Sequence, residues 1–189
     1  SNIYLEEKNT EKALEYIELG REMYEDEESI ITAEINLYIQ LNKTDELINK
    51  LTSAIDSDQE NELYYVMRGT CYQNLDNLEA AASDYRLALE INPDQLTALN
   101  NISSCYLKQT EPLILKLNNL NYNQTSLYNK YKNKIKELHT LALPYLEKLV
   151  KLKPDDIPIS TALSEIYYKL EMYEKSQAIK KSIPEGGGE

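Results

Sequence analysis

The body of this 189-residue chain is poor in glycine: three of its five glycines stand together at Gly186-Gly187-Gly188, leaving only Gly20 and Gly69. Hairpin turns and phosphate-cradling loops need glycine where the backbone must turn sharply or approach a ligand closely. A hairpin-rich β fold and a glycine-rich nucleotide loop are therefore both disfavoured. His139 is the sole histidine, so neither a histidine-based catalytic triad nor a histidine metal pair can be built. Cys71 and Cys105 are the only cysteines and have no His or Cys at ligand spacing. No run approaches the ~18 apolar residues of a membrane span, and no signal peptide is recognisable. Basic residues are also scarce, with 20 Lys and Arg against 32 Asp and Glu, for a net charge of −12. So acidic a surface repels phosphate backbones and anionic lipid, which excludes nucleic acid and membrane insertion as partners of the whole molecule.

The charge is unevenly divided. Residues 1–100 carry 7 basic and 22 acidic side chains, a net of −15, whereas residues 101–189 carry 13 and 10, a net of +3. Five lysines (Lys116, Lys130, Lys132, Lys134 and Lys136) fall within 116–136 without an acid among them. They form either a solvated helix face or a docking patch for an acidic partner, such as the acidic end of a second copy.

What the chain has in abundance is tyrosine, 16 residues against no Phe and no Trp. Tyr4, Tyr38, Tyr72 and Tyr106 are spaced 34, 34 and 34 residues apart. Ile17, Leu51 and Tyr85 keep the same period, as do Gly20, Ala54 and Ala88. The next tyrosine in phase, Tyr167, comes 61 residues after Tyr106, and Pro93 and Pro154 are also 61 apart, so one insertion of 27 residues interrupts an otherwise regular repeat. Within a period, Leu63, Val66, Met67 and Tyr72 follow helical spacing, and Leu78, Ala81, Ala82, Tyr85, Ala88, Leu89 and Ile91 follow steps of three and four. Asp76-Asn77 is the turn between them, and Asn92-Pro93 ends the second helix. Gly69, Ala81 and Ala88 allow the two helices to approach closely. No strand survives this reading. The fold class is all-α, a stack of antiparallel helix pairs.

The segment ELYYVMRGTCYQNLDNLEAAASDYRLALEINPDQ (62–95) resembles a tetratricopeptide repeat. With Glu62 as position 1, the family's aromatic at 4 is Tyr65, its glycine at 8 is Gly69 and its tyrosine at 11 is Tyr72. Ala81 stands at 20, Tyr85 at 24, Ala88 at 27 and Pro93 at 32; Arg68, where leucine is expected at 7, is the single departure. The resemblance extends in looser form over nearly the whole chain and implies a right-handed α-solenoid. Its units are 1–27 (a truncated first repeat), 28–61, 62–95, 96–156 with the insertion at about 109–136 and an extended second helix, and a capping unit at 157–184 before the tail 185–189. Because Ser1 occupies position 8 of its unit, the chain reads as a fragment of a longer protein, with Ser1-Asn2 as a cloning scar. In the insertion, the spacing from Leu127 to Leu149 predicts a helix extended backwards by several turns and kinked at Pro144, with 113–120 folding back on it. LALPYLEKLVKLKPDD with an upstream insertion is similar to exported repeat proteins of Bacteroidetes-type bacteria, which points to the periplasm, with the cytoplasm as the alternative.

The remaining candidate sites have structural readings. His139 reads as a polar residue beside an apolar stripe, Glu25-Asp26-Glu27-Glu28 as a solvated junction, and Asp155-Asp156 as a helix cap. Cys71 and Cys105 share position 10 on successive first helices, about 9–10 Å apart, too far for a disulfide, and read as buried small residues. By the family pattern, positions 2, 5, 9, 12 and 13 line a concave groove. They supply Thr32, Asn36, Gln40, Val66, Thr70, Gln73, Asn74, Thr97, Asn100, Ser104, Lys108, Thr161, Glu165, Tyr168 and Lys169. Mostly amide and hydroxyl, these suit the backbone of an extended peptide. Only neutral residues stand at position 5 (Thr32, Val66, Asn100, Thr161), which disfavours the family's clamp for terminal carboxylates. The expected function is a non-enzymatic peptide- or protein-binding scaffold without cofactor or metal. The alternative is a structural module associating head to tail into a homo-oligomer.

Overall fold

The computed structural model describes residues 12–17, 19–21, 23–24 and 27–183. Residues 12–17 and 19–21 are helical; Tyr4, Glu25 and Asp26 of the acidic run, the two ends and the tail lie outside the described residues. From residue 28 the elements are α1 Glu28–Gln40, α2 Thr44–Ser57, α3 Glu62–Asn74, α4 Leu78–Ile91, α5 Leu96–Lys108, α6 Glu111–Asn118, α7 Thr125–Leu152, α8 Ile157–Lys169 and α9 Tyr173–Ser182. No strand occurs among the described residues. Helices pack chiefly on their neighbours in sequence, except that α5 packs on α7 across the intervening α6, the arrangement of a solenoid with an insertion. Three buried clusters follow one another along it. The first joins Ile31, Ile35, Tyr38, Leu47 and Met67; the second Tyr65, Ala81, Tyr85, Ile102 and Leu138; the third Leu99, Leu146, Leu149, Leu163 and Tyr167.

The turn from first to second helix repeats with the sequence. Asn42, Asp76 and Glu171 all stand at position 15, and all have left-handed backbone, with φ of 55°, 59° and 64°. In each case the next residue's N–H returns to the carbonyl of the position-11 tyrosine: Lys43 to Tyr38 at 2.8 Å, Asn77 to Tyr72 at 2.9 Å and Met172 to Tyr167 at 2.8 Å. This six-residue closure satisfies carbonyls that the ending helix would leave open. The starts are capped as regularly: the side chains of Asn61, Gln95 and Asp156 accept bonds from Leu63, Ala98 and Ile159 N–H at 3.0, 3.0 and 3.1 Å. In the unit 96–156 position 15 is Thr110, whose φ of −76° and ψ of −27° are right-handed helical, so the chain runs on into α6 instead of turning back. That residue is where the insertion enters.

α7 is 28 residues long, about 42 Å at 1.5 Å per residue, and α6 packs along it. It runs as one helix through Pro144; the carbonyl that the proline leaves unbonded belongs to exposed Thr140, where water can meet it. Among the described residues no helix is long and apolar enough to cross a membrane.

Two features of α3 and α4 set how the helices meet. A Cβ on Gly69 would lie 2.9 Å from Tyr85 Cε1 and 3.1 Å from its Cδ1, so only glycine fits beneath that fully buried ring. The last unit solves the same crossing with Ser164 and Ser176, whose hydroxyls lie 3.1 Å apart, Ser176 Oγ donating to Ser164 O at 2.8 Å. The departure Arg68 is matched by a partner: its Nε and Nη2 donate to the two carboxylate oxygens of Asp84, both at 2.8 Å, and Nη1 donates to Thr52 Oγ1 at 3.1 Å. The Asp84 hydrogen bonds, working against burial, raise the Arg68 guanidinium above its ordinary value. Removing one partner of a buried ion pair strands the other, whereas replacing both by apolar groups is near neutral. Asp84→Ala is therefore expected to destabilise by ~3 kcal/mol, and Arg68→Leu combined with Asp84→Ala to recover most of that. Urea unfolding of the three proteins checks it.

Candidate functional site

The first helices α1, α3 and α5 present one wall, and a cavity of about 270 Å³ opens on it. Its floor is apolar, from Ile31 and Ile35 of α1 and Leu63 and Val66 of α3; its rim is Thr32, Asn36, Thr70, Asn74, Gln95, Thr97 and Asn101. Asn36 and Asn74 are exposed. Asn74 spends its N–H on the Thr70 carbonyl at 2.8 Å, leaving its side-chain oxygen as an acceptor.

Behind this wall the hydroxyl of Tyr85 is a junction. It donates to Gln73 Oε1 at 2.8 Å, accepts from Asn101 Nδ2 at 3.2 Å and lies 3.2 Å from Thr70 Oγ1, which itself donates to the Val66 carbonyl at 2.9 Å. Burial of this phenol, against those hydrogen bonds, moves it well above the usual tyrosine range, so it stays a neutral donor. Two residues expected to meet a ligand, Thr70 and Gln73, thus hold the wall together. The position-11 tyrosines use their hydroxyls in the same way. Tyr38 Oη accepts from Lys50 Nζ at 2.6 Å, Tyr106 Oη from Arg86 Nη2 at 3.1 Å, and Tyr167 Oη donates to Glu147 Oε1 at 2.6 Å. Phenylalanine would forfeit each bond, which is the physical reason for tyrosine at these buried sites.

A second cavity, about 530 Å³, lies between α5 and α8 and is closed on one side by α6 and α7. Asn100, Ser104, Lys108 and Glu165, named above as groove candidates, line it together with Glu111, His139 and Lys169. Gln40 lines neither cavity, nor does Tyr168, whose ring stands edge-on to Tyr173 at 5.5 Å. Of the apolar floor of the first cavity the sequence pattern gave Val66 but not Ile31, Ile35 or Leu63, although Ile31 and Ile35, four apart on one helix face, carried that signal. It also misplaced His139, which is 3% exposed and buried rather than flanking the core.

The five lysines do not form one patch. Lys116 lies on α6 and the others on α7, where 100° per residue sets Lys130 and Lys134 roughly 160° away from Lys132 and Lys136. Lys134 Nζ moreover pairs with Glu137 Oε1 at 2.8 Å. The docking patch drawn from the sequence is thus divided between opposite sides of a helix. Cys71 and Cys105 are buried and free, and burial first of all pushes their thiols up, to about 12 and about 11.

Burial, and after it the Lys169 ammonium, pushes the His139 imidazolium down to about 4. The unfolded chain takes up that proton near pH 6.5, so stability falls as pH drops from about 6.5 to about 4. Between pH 7 and pH 4 the parent is expected to lose up to ~3 kcal/mol more than His139→Gln. Urea midpoints of both proteins across that range measure the difference.

A model of the tetratricopeptide repeat matches residues 63–95. No curated protein matches the chain. Among solved structures the chain is similar to MamA, at 13% identity and a TM-score of 0.59 over 96% of this chain and 84% of that one. It is also similar to the first tetratricopeptide-repeat domain of Spaghetti (RPAP3) bound to an HSP90 peptide, at 19% identity and TM-score 0.51, covering 75% and 91%. A thermophilic repeat protein of Thermus thermophilus shares 14% identity at TM-score 0.50, covering 80% and 72%. At such identities the likeness speaks for the fold. Residues 63–95 are a tetratricopeptide repeat, and the chain has the all-α solenoid fold of tetratricopeptide-repeat proteins.

Proposed function

We propose that the chain is a non-enzymatic scaffold that binds an extended peptide segment of another protein along the wall of α1, α3 and α5. The observation that carries this is the first cavity: an apolar floor of Ile31, Ile35, Leu63 and Val66 ringed by amide and hydroxyl groups. An apolar side chain entering the floor releases water, and the rim can pair with the peptide backbone on either side of it. Neutral amides satisfy backbone groups without selecting a charge, so the ligand is recognised by shape and apolar anchor rather than by an acidic terminus. The repeat domain of RPAP3, whose structure holds a bound peptide, lends the reading support from a protein of the same fold.

A second reading, association between copies, is favoured by the charge division of −15 against +3 and by exposed Tyr16 and Met23 in the acidic part. Such assembly weakens as salt rises. Light scattering at low and high salt therefore separates it from peptide binding.

The leading reading is tested with peptides selected on the immobilised protein from a displayed library. Asn36→Ala combined with Asn74→Ala is expected to weaken the selected peptides about thirtyfold by fluorescence anisotropy, each lost hydrogen bond contributing ~1 kcal/mol. Lys130→Ala on α7 is expected to leave affinity unchanged. Unaltered affinity in the double variant would move the site elsewhere.

A further inference from the structure

The second cavity has no counterpart in a regular repeat. It exists because Thr110 stays right-handed and feeds the chain into α6, so that α6 and α7 close one side of a seam between α5 and α8. At its base sits His139, 97% removed from solvent by the complement of its 3% exposure. Among the described residues its ring makes no hydrogen bond, yet neither nitrogen is sealed off. The ring is packed away, while its nitrogens stay open to a partner that enters the cavity.

The surroundings define what that partner is. Leu107, Ile114, Leu146 and Ile166 give an apolar wall. Four charges, Lys108, Lys169, Glu111 and Glu165, cancel in sum, and none is ion-paired with another among the described residues. A charged guest would lose hydration and find no net field to replace it. A neutral imidazole offers one donor and one acceptor, the complement of a peptide group.

We propose that this insertion-built cavity is a second subsite of the groove, taking an uncharged apolar side chain whose adjoining peptide group hydrogen-bonds to His139. It rests on the peptide-binding reading and adds to it a second anchor on the other side of α5. The insertion then sets specificity: a ligand needs two apolar residues, one for each cavity.

His139 is the only histidine, so its imidazole carbon-bound protons give a single pair of NMR signals in the whole protein. The probes are N-acetyl-leucine N-methylamide and N-acetyl-glutamate N-methylamide, added to the whole chain at pH 7. The leucine probe is expected to shift the His139 signals saturably with a dissociation constant of about 1 mM, at least tenfold tighter than the glutamate probe. Ala162→Trp, which fills the cavity from α8, should abolish the shift; if circular dichroism shows it misfolded, Ile114→Trp fills it from α6. No saturable shift, equal response to glutamate, or a shift that survives filling would each overturn the proposal. The side-chain amide signals of Asn36 and Asn74 report the first cavity in parallel. Movement there with a silent His139 sinks this subsite alone, whereas the reverse sinks the groove reading and leaves the subsite standing.

Discussion

The structure depends on how closely the two helices of each unit can cross. At the best-formed crossing there is room beneath the Tyr85 ring for a hydrogen and for nothing larger, because a Cβ on Gly69 would come within 2.9 Å of it. The ring is fully buried, so it cannot swing aside without opening the seam. Its hydroxyl then reaches through to the concave wall and gathers Gln73, Thr70 and Asn101. Core packing and the first cavity are therefore linked: the ring seated on Gly69 also bonds two rim groups of that cavity, Thr70 and Asn101.

The insertion follows the same logic from the opposite side. Three units turn at position 15 through a left-handed residue, and the hydrogen bond back to the position-11 tyrosine closes the turn. Thr110 keeps helical angles there, its Oγ1 donating to the Leu107 carbonyl at 2.6 Å, and the chain goes on into α6. One backbone conformation thus converts a regular seam into a cavity with a buried histidine at its base. The following unit keeps its register, since Tyr167 is buried as Tyr38 and Tyr106 are.

Much of this was legible in the residues, since burial enforces period: Tyr38, Tyr106 and Tyr167 are all core, and Ala81, Tyr85 and Ala88 lie on one buried helix stripe. Helix ends were legible too, because Asn77 and Asp156 cap through local bonds three residues away. What depends on distant partners was not. Arg68 looked like a lapse in the pattern, since nothing local reveals Asp84 sixteen residues on as its partner. The bonds from Thr70 and Gln73 to a tyrosine of the neighbouring helix were not legible either. The lysines looked like one patch because sequence proximity hides helical rotation, and His139 looked peripheral because α6, which covers it, lies in the part without repeat register. The groove positions came from a family pattern of first-helix faces; that pattern does not know which of them a particular chain spends on itself.

The account stands most directly on the Gly69–Tyr85 contact, and native-state hydrogen exchange of Gly69→Ala reads it helix by helix. Overpacking a tight core site costs typically ~1–3 kcal/mol, so amide protection in α3 and α4 should fall about tenfold or more, with α8 and α9 keeping theirs. Protection in α3 and α4 equal to that of the parent would contradict the claim that this crossing holds the repeat together.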